Sequence, residues 1–178
     1  MAVAATGFFD GVHLGHRKVI ETLVRVARER GDESLILTFW PHPRMVLSGG
    51  RDSVSLLNGQ EEKKSMLRSL GVDRVEVIPF TSEFASLPAR EYLRMVMSDY
   101  SVTAMVLGYD TRIGSDRLGP EELSELCREM GISCVCVPPV EVDLPGGPVT
   151  VSSTKIRNAL AGGDLESAET MLGYSVEY

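Results

Sequence analysis

The sequence predicts an α/β fold, a doubly wound five-stranded parallel sheet with helices on both faces. Two observations carry this reading. Short apolar runs alternate along the chain with longer segments of helical periodicity, an order that builds βαβ units and a sheet buried on both sides. Polar and glycine-rich segments also follow the strands, at 7–16, 40–47, 108–119 and 151–157, whereas the opposite turns, 30–33 and 71–73, are plain connectors. Ligands bind beyond the carboxyl ends of such strands, near the point where strand order reverses. The asymmetry therefore predicts which edge of the sheet does the chemistry.

The elements follow in order. Residues 2–5 read as the first strand, and 17–30 as the helix after it. The run 34–39 (SLILTF) is the second strand. Residues 60–70 form a helix, with Gly71 as a C-cap. Strand 74–78 and helix 89–99 come next, then strand 102–107 (VTAMVL). A helix over 120–130 has Pro120 in its first turn and Gly131 beyond its end. Strand 132–137 (ISCVCV) precedes two short helices, 153–161 and 164–172, parted by Gly162 and Gly163. Gly49, Gly50 and nearby serines predict a mobile flap over 44–59.

Composition bounds the function. With 178 residues, 43% hydrophobic and 24% charged, the chain reads as one globular domain over 1–178 with a genuine core. A net charge of −7 argues against nucleic acid as a partner, since that affinity comes largely from phosphate neutralisation. No apolar run approaches the ~20 residues that span a bilayer, and no signal peptide is apparent. A cytoplasmic, membrane-free protein is expected. Cys127, Cys134 and Cys136 show no CxxC or zinc spacing and are expected to be small buried side chains in a reducing compartment.

The segment Gly-Phe-Phe-Asp-Gly-Val-His-Leu-Gly-His, residues 7–16, is the most informative. It joins a strand to a helix, where free amides and the helix dipole favour a phosphate. Glycines permit close approach of the backbone, and His13 and His16 can donate ring N–H groups. The spacings GxxxxGK[ST] and GxGxxG are absent, which excludes the two commonest phosphate loops. Near the C-terminus, Ser152-Ser153-Thr154-Lys155-Ile156-Arg157 places hydroxyls at a helix start and a guanidinium one turn in, chemistry suited to a polyphosphate.

Five segments in this order, 7–16, 39–47 (FWPHPRMVL), 70–87, 108–119 (GYDTRIGSDRLG) and 151–173, resemble one family over almost the whole chain. It is the FMN adenylyltransferase (FAD synthetase) domain of the prokaryotic bifunctional riboflavin kinase/FAD synthetases, in the nucleotidylyltransferase superfamily with its Rossmann-like fold. The resemblance implies adenylyl transfer from ATP to FMN by direct in-line attack, giving FAD and pyrophosphate. It implies catalytic roles for His13, His16 and Arg157, and a nucleotide site formed by Gly7, Phe9, Asp10, Gly11, Gly15, Gly108, Asp110, Ser152, Ser153 and Thr154. Flavin contacts fall to Phe39, Pro41, His42, Pro43, Phe80 and Phe84. Mg²⁺ would arrive on the ATP phosphates rather than on a protein side chain, with no permanently bound cofactor; Asp110 could bind Mg²⁺, orient a substrate hydroxyl or simply form the turn.

Removing His16 or Arg157 is expected to lower turnover by orders of magnitude with the fold intact. The bifunctional relatives continue into a kinase domain, so FMN is expected from a separate riboflavin kinase. The sequence departs from the family where Thr111 and Ile113 replace phenylalanines and Phe8 stands in place of asparagine. Two other readings share the motifs: transfer to a different phosphorylated acceptor, and flavin or nucleotide binding without turnover.

Overall fold

Alternating burial in the first strand sets the layers. In β1 (Ala2–Thr6), Ala2 and Ala4 face one core while Val3 and Ala5 face another, as a strand covered on both sides requires. The computed structural model describes residues 1–177. After β1 come α1 (Leu14–Arg30), β2 (Glu33–Trp40), α2 (Pro43–Leu47), α3 (Gln60–Ser69), β3 (Arg74–Pro79), α4 (Ser82–Ala85) and α5 (Ala89–Tyr100). The chain continues through β4 (Val102–Gly108), α6 (Pro120–Glu129), β5 (Ser133–Val137), β6 (Glu141–Leu144), β7 (Gly147–Thr150), α7 (Ser153–Ala161) and α8 (Leu165–Leu172).

The main sheet has five parallel strands, as the sequence predicts, and their order is β3-β2-β1-β4-β5. Strand order reverses at β1, so the crevice between the carboxyl ends of β1 and β4 is the expected ligand position. One core joins the sheet to α5 and α6 through Leu35, Leu37, Leu93, Met105 and Leu123. The other joins it to α1 through Ile20, Leu23, Ile36 and Val106, with Leu67 of α3. A third, smaller cluster of Val151, Ile156, Met171 and Leu172 packs α7 on α8.

Several local expectations change. The helix α1 starts at Leu14, not at 17, because His13 is its N-cap and accepts a bond from the His16 amide. Histidine is an uncommon cap, so the usual Ser, Thr, Asp or Asn signal was missing. The antiparallel β6–β7 hairpin was not foreseen; Pro148 inside β7 hides a strand that the turn residues Pro145 and Gly146 otherwise announce. The short helices α2 and α4 were likewise unforeseen. Of the three cysteines, Cys127 is buried, Cys134 half-buried and Cys136 exposed. The expectation of three buried thiols fails because β5 is an edge strand. The far end of the 44–59 segment is anchored: Asp10 Oδ1 accepts from the Leu57 and Asn58 amides at 2.9 and 3.4 Å.

Candidate active site

The turn from β1 to α1 carries unusual backbone. Phe9 and Val12 are non-glycine residues at φ 55° and 41°, beside Gly11 at 83°. Such conformations persist only where the surroundings over-determine them, and here they do. Thr38 Oγ1 and Lys63 Nζ donate to the Phe8 carbonyl at 3.1 and 2.8 Å. Ser153 Oγ donates to the Asp10 carbonyl at 2.9 Å, and the Tyr174 hydroxyl to that of Gly11 at 2.6 Å. The Phe9 and Val12 side chains are buried in the α1 core. Three turn carbonyls are thus taken up by the protein, while the first-turn amides of α1 have no intrahelical acceptor. Gly11 is required twice over, by its φ and because a Cβ there would lie 2.7 Å from Leu57 Cδ1.

His13 and His16 stack face to face, ring centroids 3.6 Å apart and planes 13° from parallel. Gly15 makes room for this, since a Cβ there would sit 3.0 Å from His13 Cε1. Burial, opposed by the Asp10 carboxylate, lowers the His13 pKa to about 4. Burial, the His13 ring and the Lys63 ammonium push His16 well below the ordinary range. Both rings are therefore neutral at pH 7. His13 Nδ1 accepts from the His16 amide at 3.2 Å, which leaves Nε2 as its protonated nitrogen. His16 Nδ1 is buried with no partner among the described residues, an arrangement that costs about 1–3 kcal/mol unless a ligand or solvent fills it.

α7 is drawn to this turn by an ion pair. Arg157 Nη2 meets Asp10 Oδ2 at 2.5 Å, and Arg157 Nε donates to the Ser55 carbonyl at 2.9 Å. The Asp10 side chain is 3% exposed. Asp10 therefore acts as a buried hub joining the first turn, the 55–58 segment and α7, rather than as a residue open to a nucleotide. Arg157 commits one edge of its guanidinium, Nε and Nη2, to this hub, and Nη1 makes no hydrogen bond among the described residues. Ser152 caps α7 through the Lys155 amide, and Ser153 holds Asp10. Thr154 is exposed at the same helix start.

Other expected residues divide between the site and the core. Gly108 ends β4 beside the crevice and Asp110 is exposed just beyond it. Gly7 lies against the Phe9 ring. Pro41 and Pro43 flank His42, which caps α2 and packs edge-on against Phe8 with ring centroids 4.3 Å apart. Phe39, Phe80 and Phe84 form an aromatic trio with centroid separations of 5.6–5.7 Å, and Phe84 also meets Tyr92. Phe39 is buried in the core, with Phe80 and Phe84 packed partly over it. Ile113 is buried in the same cluster, so this departure from the family lies in the core beneath the site.

Three contributors escaped the sequence reading. Lys63 falls inside the 60–70 helix with no motif to mark it. Thr38 looks like one more strand residue, and Tyr174 follows the last helix with no motif around it. The Thr in an otherwise apolar β2 run was the one available signal.

A five-stranded parallel sheet whose order reverses at β1 defines an α/β nucleotidylyltransferase-like fold, here with a histidine pair, a helix N-terminus and a basic residue gathered at the β1/β4 reversal. The FAD synthetase family model matches residues 1–155, and the chain belongs to the FAD synthetase family. It is 35% identical over 176 residues to a bifunctional riboflavin kinase/FMN adenylyltransferase of Listeria monocytogenes, covering 97% of this chain and 54% of that protein. A FAD synthetase of the same organism is 28% identical over 174 residues, covering 97% and 69% of the two chains. The chain spans about half the length of the bifunctional relatives it matches. A solved structure described as a macrolide-efflux protein from Streptococcus pneumoniae superposes with a TM-score of 0.83 at 28% identity, covering 97% of this chain and 55% of that one. No helix among the described residues is long and apolar enough to cross a membrane.

Proposed function

We propose that this domain transfers the adenylyl group of ATP to FMN, forming FAD and pyrophosphate. The observation that carries the reading is the stacked, neutral histidine pair at the α1 N-terminus, with His16 Nδ1 lacking a protein partner. An oxygen of the FMN phosphate attacks the α-phosphorus of ATP, and the bond from that phosphorus to the bridging oxygen breaks, releasing pyrophosphate. The FMN phosphate is already a nucleophile near neutral pH and needs no base, so the protein's part is positioning and electrostatics. Neutral imidazoles suit this, because each offers an N–H without a competing proton transfer.

The Nη1 group of Arg157, the Thr154 hydroxyl and the amides of Leu14 and Gly15 in α1 and of Ser153 and Thr154 in α7 hold the triphosphate on the β1/β4 side. Gly7, Gly11, Gly15 and Gly108 let the backbone approach the nucleotide. The flavin lies toward Pro41, His42 and Pro43, with Phe80 and Phe84 bordering it over the buried Phe39. Mg²⁺ enters with ATP as part of the Mg-ATP substrate. Riboflavin kinase activity supplies the FMN, and the free thiols fit a reducing cytoplasm.

Incubation with Mg-ATP and FMN, followed by chromatography for FAD and pyrophosphate, tests the reading directly. Product that disappears in His16→Ala supports it. Absence of product at high enzyme concentration overturns it, and parallel runs with other phosphate-bearing acceptors identify a different acceptor.

A further inference from the structure

Lys63 is the residue in this cleft whose chemistry the reading above does not use. Its sequence context, Glu61-Glu62-Lys63-Lys64 in the first turn of α3, predicts a solvated charged face, and Lys64 does pair with Glu61 at 2.9 Å. Lys63 turns inward instead and is 2% exposed. Its ammonium donates to the Phe8 carbonyl at 2.8 Å and to Thr38 Oγ1 at 3.2 Å, and lies 3.9 Å from the centroid of the Phe8 ring. All three partners are neutral. Among the described residues no carboxylate comes within ion-pair distance of Nζ. Burying an ammonium without a counter-charge is costly, and burial pulls its pKa down to about 8 against the opposing pull of Asp10. At pH 7 it remains a cation, its hydrogens satisfied and its charge not.

Position gives that charge a use. Phe8 and Thr38 lie at the carboxyl ends of β1 and β2, on the far side of β1 from β4. The Phe8 ring that Lys63 underlies also carries His42 of the Pro-His-Pro loop. Lys63 therefore sits under the acceptor side of the cleft, while Arg157 serves the α7 side. A charge walled off from water is weakly screened by salt and acts at greater range than a surface lysine.

We propose that Lys63 is a positioning residue for the acceptor: an uncompensated buried cation that draws a phosphate monoester to the acceptor side. This rests on the proposed adenylyl transfer to FMN. It specifies that the domain tells a phosphorylated flavin from an unphosphorylated one through this charge. Lys63 need not touch the phosphate, since its own hydrogens are already committed.

The test compares FMN with riboflavin, which differ by the phosphate alone, in Lys63→Met and the unaltered protein, with ATP binding as a check on folding. Flavin fluorescence gives the two flavin affinities and calorimetry that of ATP. The expected result is an FMN Kd raised about tenfold, with riboflavin and ATP within about twofold. Equal weakening of FMN and riboflavin, or no change in either, overturns the proposal and leaves Lys63 a scaffold for Phe8.

Should Lys63→Met fail to fold, the unaltered protein supplies a second measurement. The ratio of FMN to riboflavin affinity should fall as pH rises through about 8, where Lys63 loses its proton while the FMN phosphate, with its second pKa near ~6, stays dianionic. Its ionisable neighbours are Asp10, His16, His42 and Lys64, and both histidines stay neutral over this range. A flat ratio overturns the proposal. Failure of the unaltered protein to bind either flavin overturns the FMN reading itself, and this one with it.

Discussion

Asp10 and Arg157 form a half-buried ion pair, 2.5 Å from Oδ2 to Nη2, that ties the first turn of the chain to a helix 147 residues later. The pair changes what an alanine at 157 would report. Removing the guanidinium leaves a buried carboxylate without its counter-charge, a loss of about 3–5 kcal/mol for pairs of this kind. Arg157→Ala is thus expected to lower the melting temperature as well as turnover, against the simple expectation of a catalytic residue on an intact fold. Arg157→Lys retains charge and should recover most of the stability but cannot hold Asp10 and the Ser55 carbonyl at once with the fixed spacing of a guanidinium. Thermal melts beside turnover check this; an unchanged melting temperature in Arg157→Ala would show that the pair contributes little.

The histidine pair links stability to pH. The pKa of His13 lies at about 4 in the folded protein, below the ordinary value of about 6.5. The unfolded chain therefore binds the proton more readily. The stabilisation from the buried neutral ring is complete above about pH 6.5 and is lost as pH falls toward 4, by about 3 kcal/mol in all. His13→Asn keeps an N-cap acceptor and removes the titration. Its denaturation midpoint should vary less with pH between 6.5 and 4 than that of the unaltered protein, and equal slopes would exclude His13 as the source.

Gly15→Ala separates activity from stability. Alanine is favoured over glycine inside a helix by about 1 kcal/mol, so α1 itself gains. The new Cβ would press to 3.0 and 3.1 Å on the His13 ring and break the stack with His16. Turnover is expected to fall more than tenfold while the melting temperature stays within a few degrees. Steady-state kinetics beside a thermal melt decide it, and normal kcat would mean that the stack is not needed.

Tyr174 tests the contact from the other end of the chain. Its hydroxyl donates to Gly11 O at 2.6 Å and is approached by Asn58 Nδ2 at 3.5 Å. Tyr174→Phe leaves a turn carbonyl without its donor, at a cost of about 1–3 kcal/mol, and loosens the turn that approaches ATP. The expected signature is a raised KM for ATP with a smaller change in KM for the acceptor. Equal changes in both would place the effect in global stability instead.

Much of the fold was legible because it depends on local periodicity. Ser34, Leu35, Ile36 and Leu37 read as a buried strand whatever surrounds them, and the α7 span was read as it stands. The α1 start was misplaced because it depends on which side chain accepts the His16 amide, and histidine does so only where the ring can lie back over Gly15. The site was legible as a set of segments on one edge of the sheet, since βα turns after parallel strands share an edge by topology. Its internal wiring was not.

By itself the sequence determined the strand and helix order, the working edge of the sheet and the family. These follow from period, turn residues and motif spacing, all local in the chain. Only the tertiary structure decided that Asp10 is a buried hub, that Arg157 is half committed to it, that Lys63 turns away from water while Lys64 does not, and that Tyr174 closes the first turn. Each depends on which distant groups arrive at the same few ångströms. Lys63 and Lys64 are adjacent and chemically identical, and a rotation of 100° about a helix axis places one under Phe8 and the other beside Glu61 in solvent.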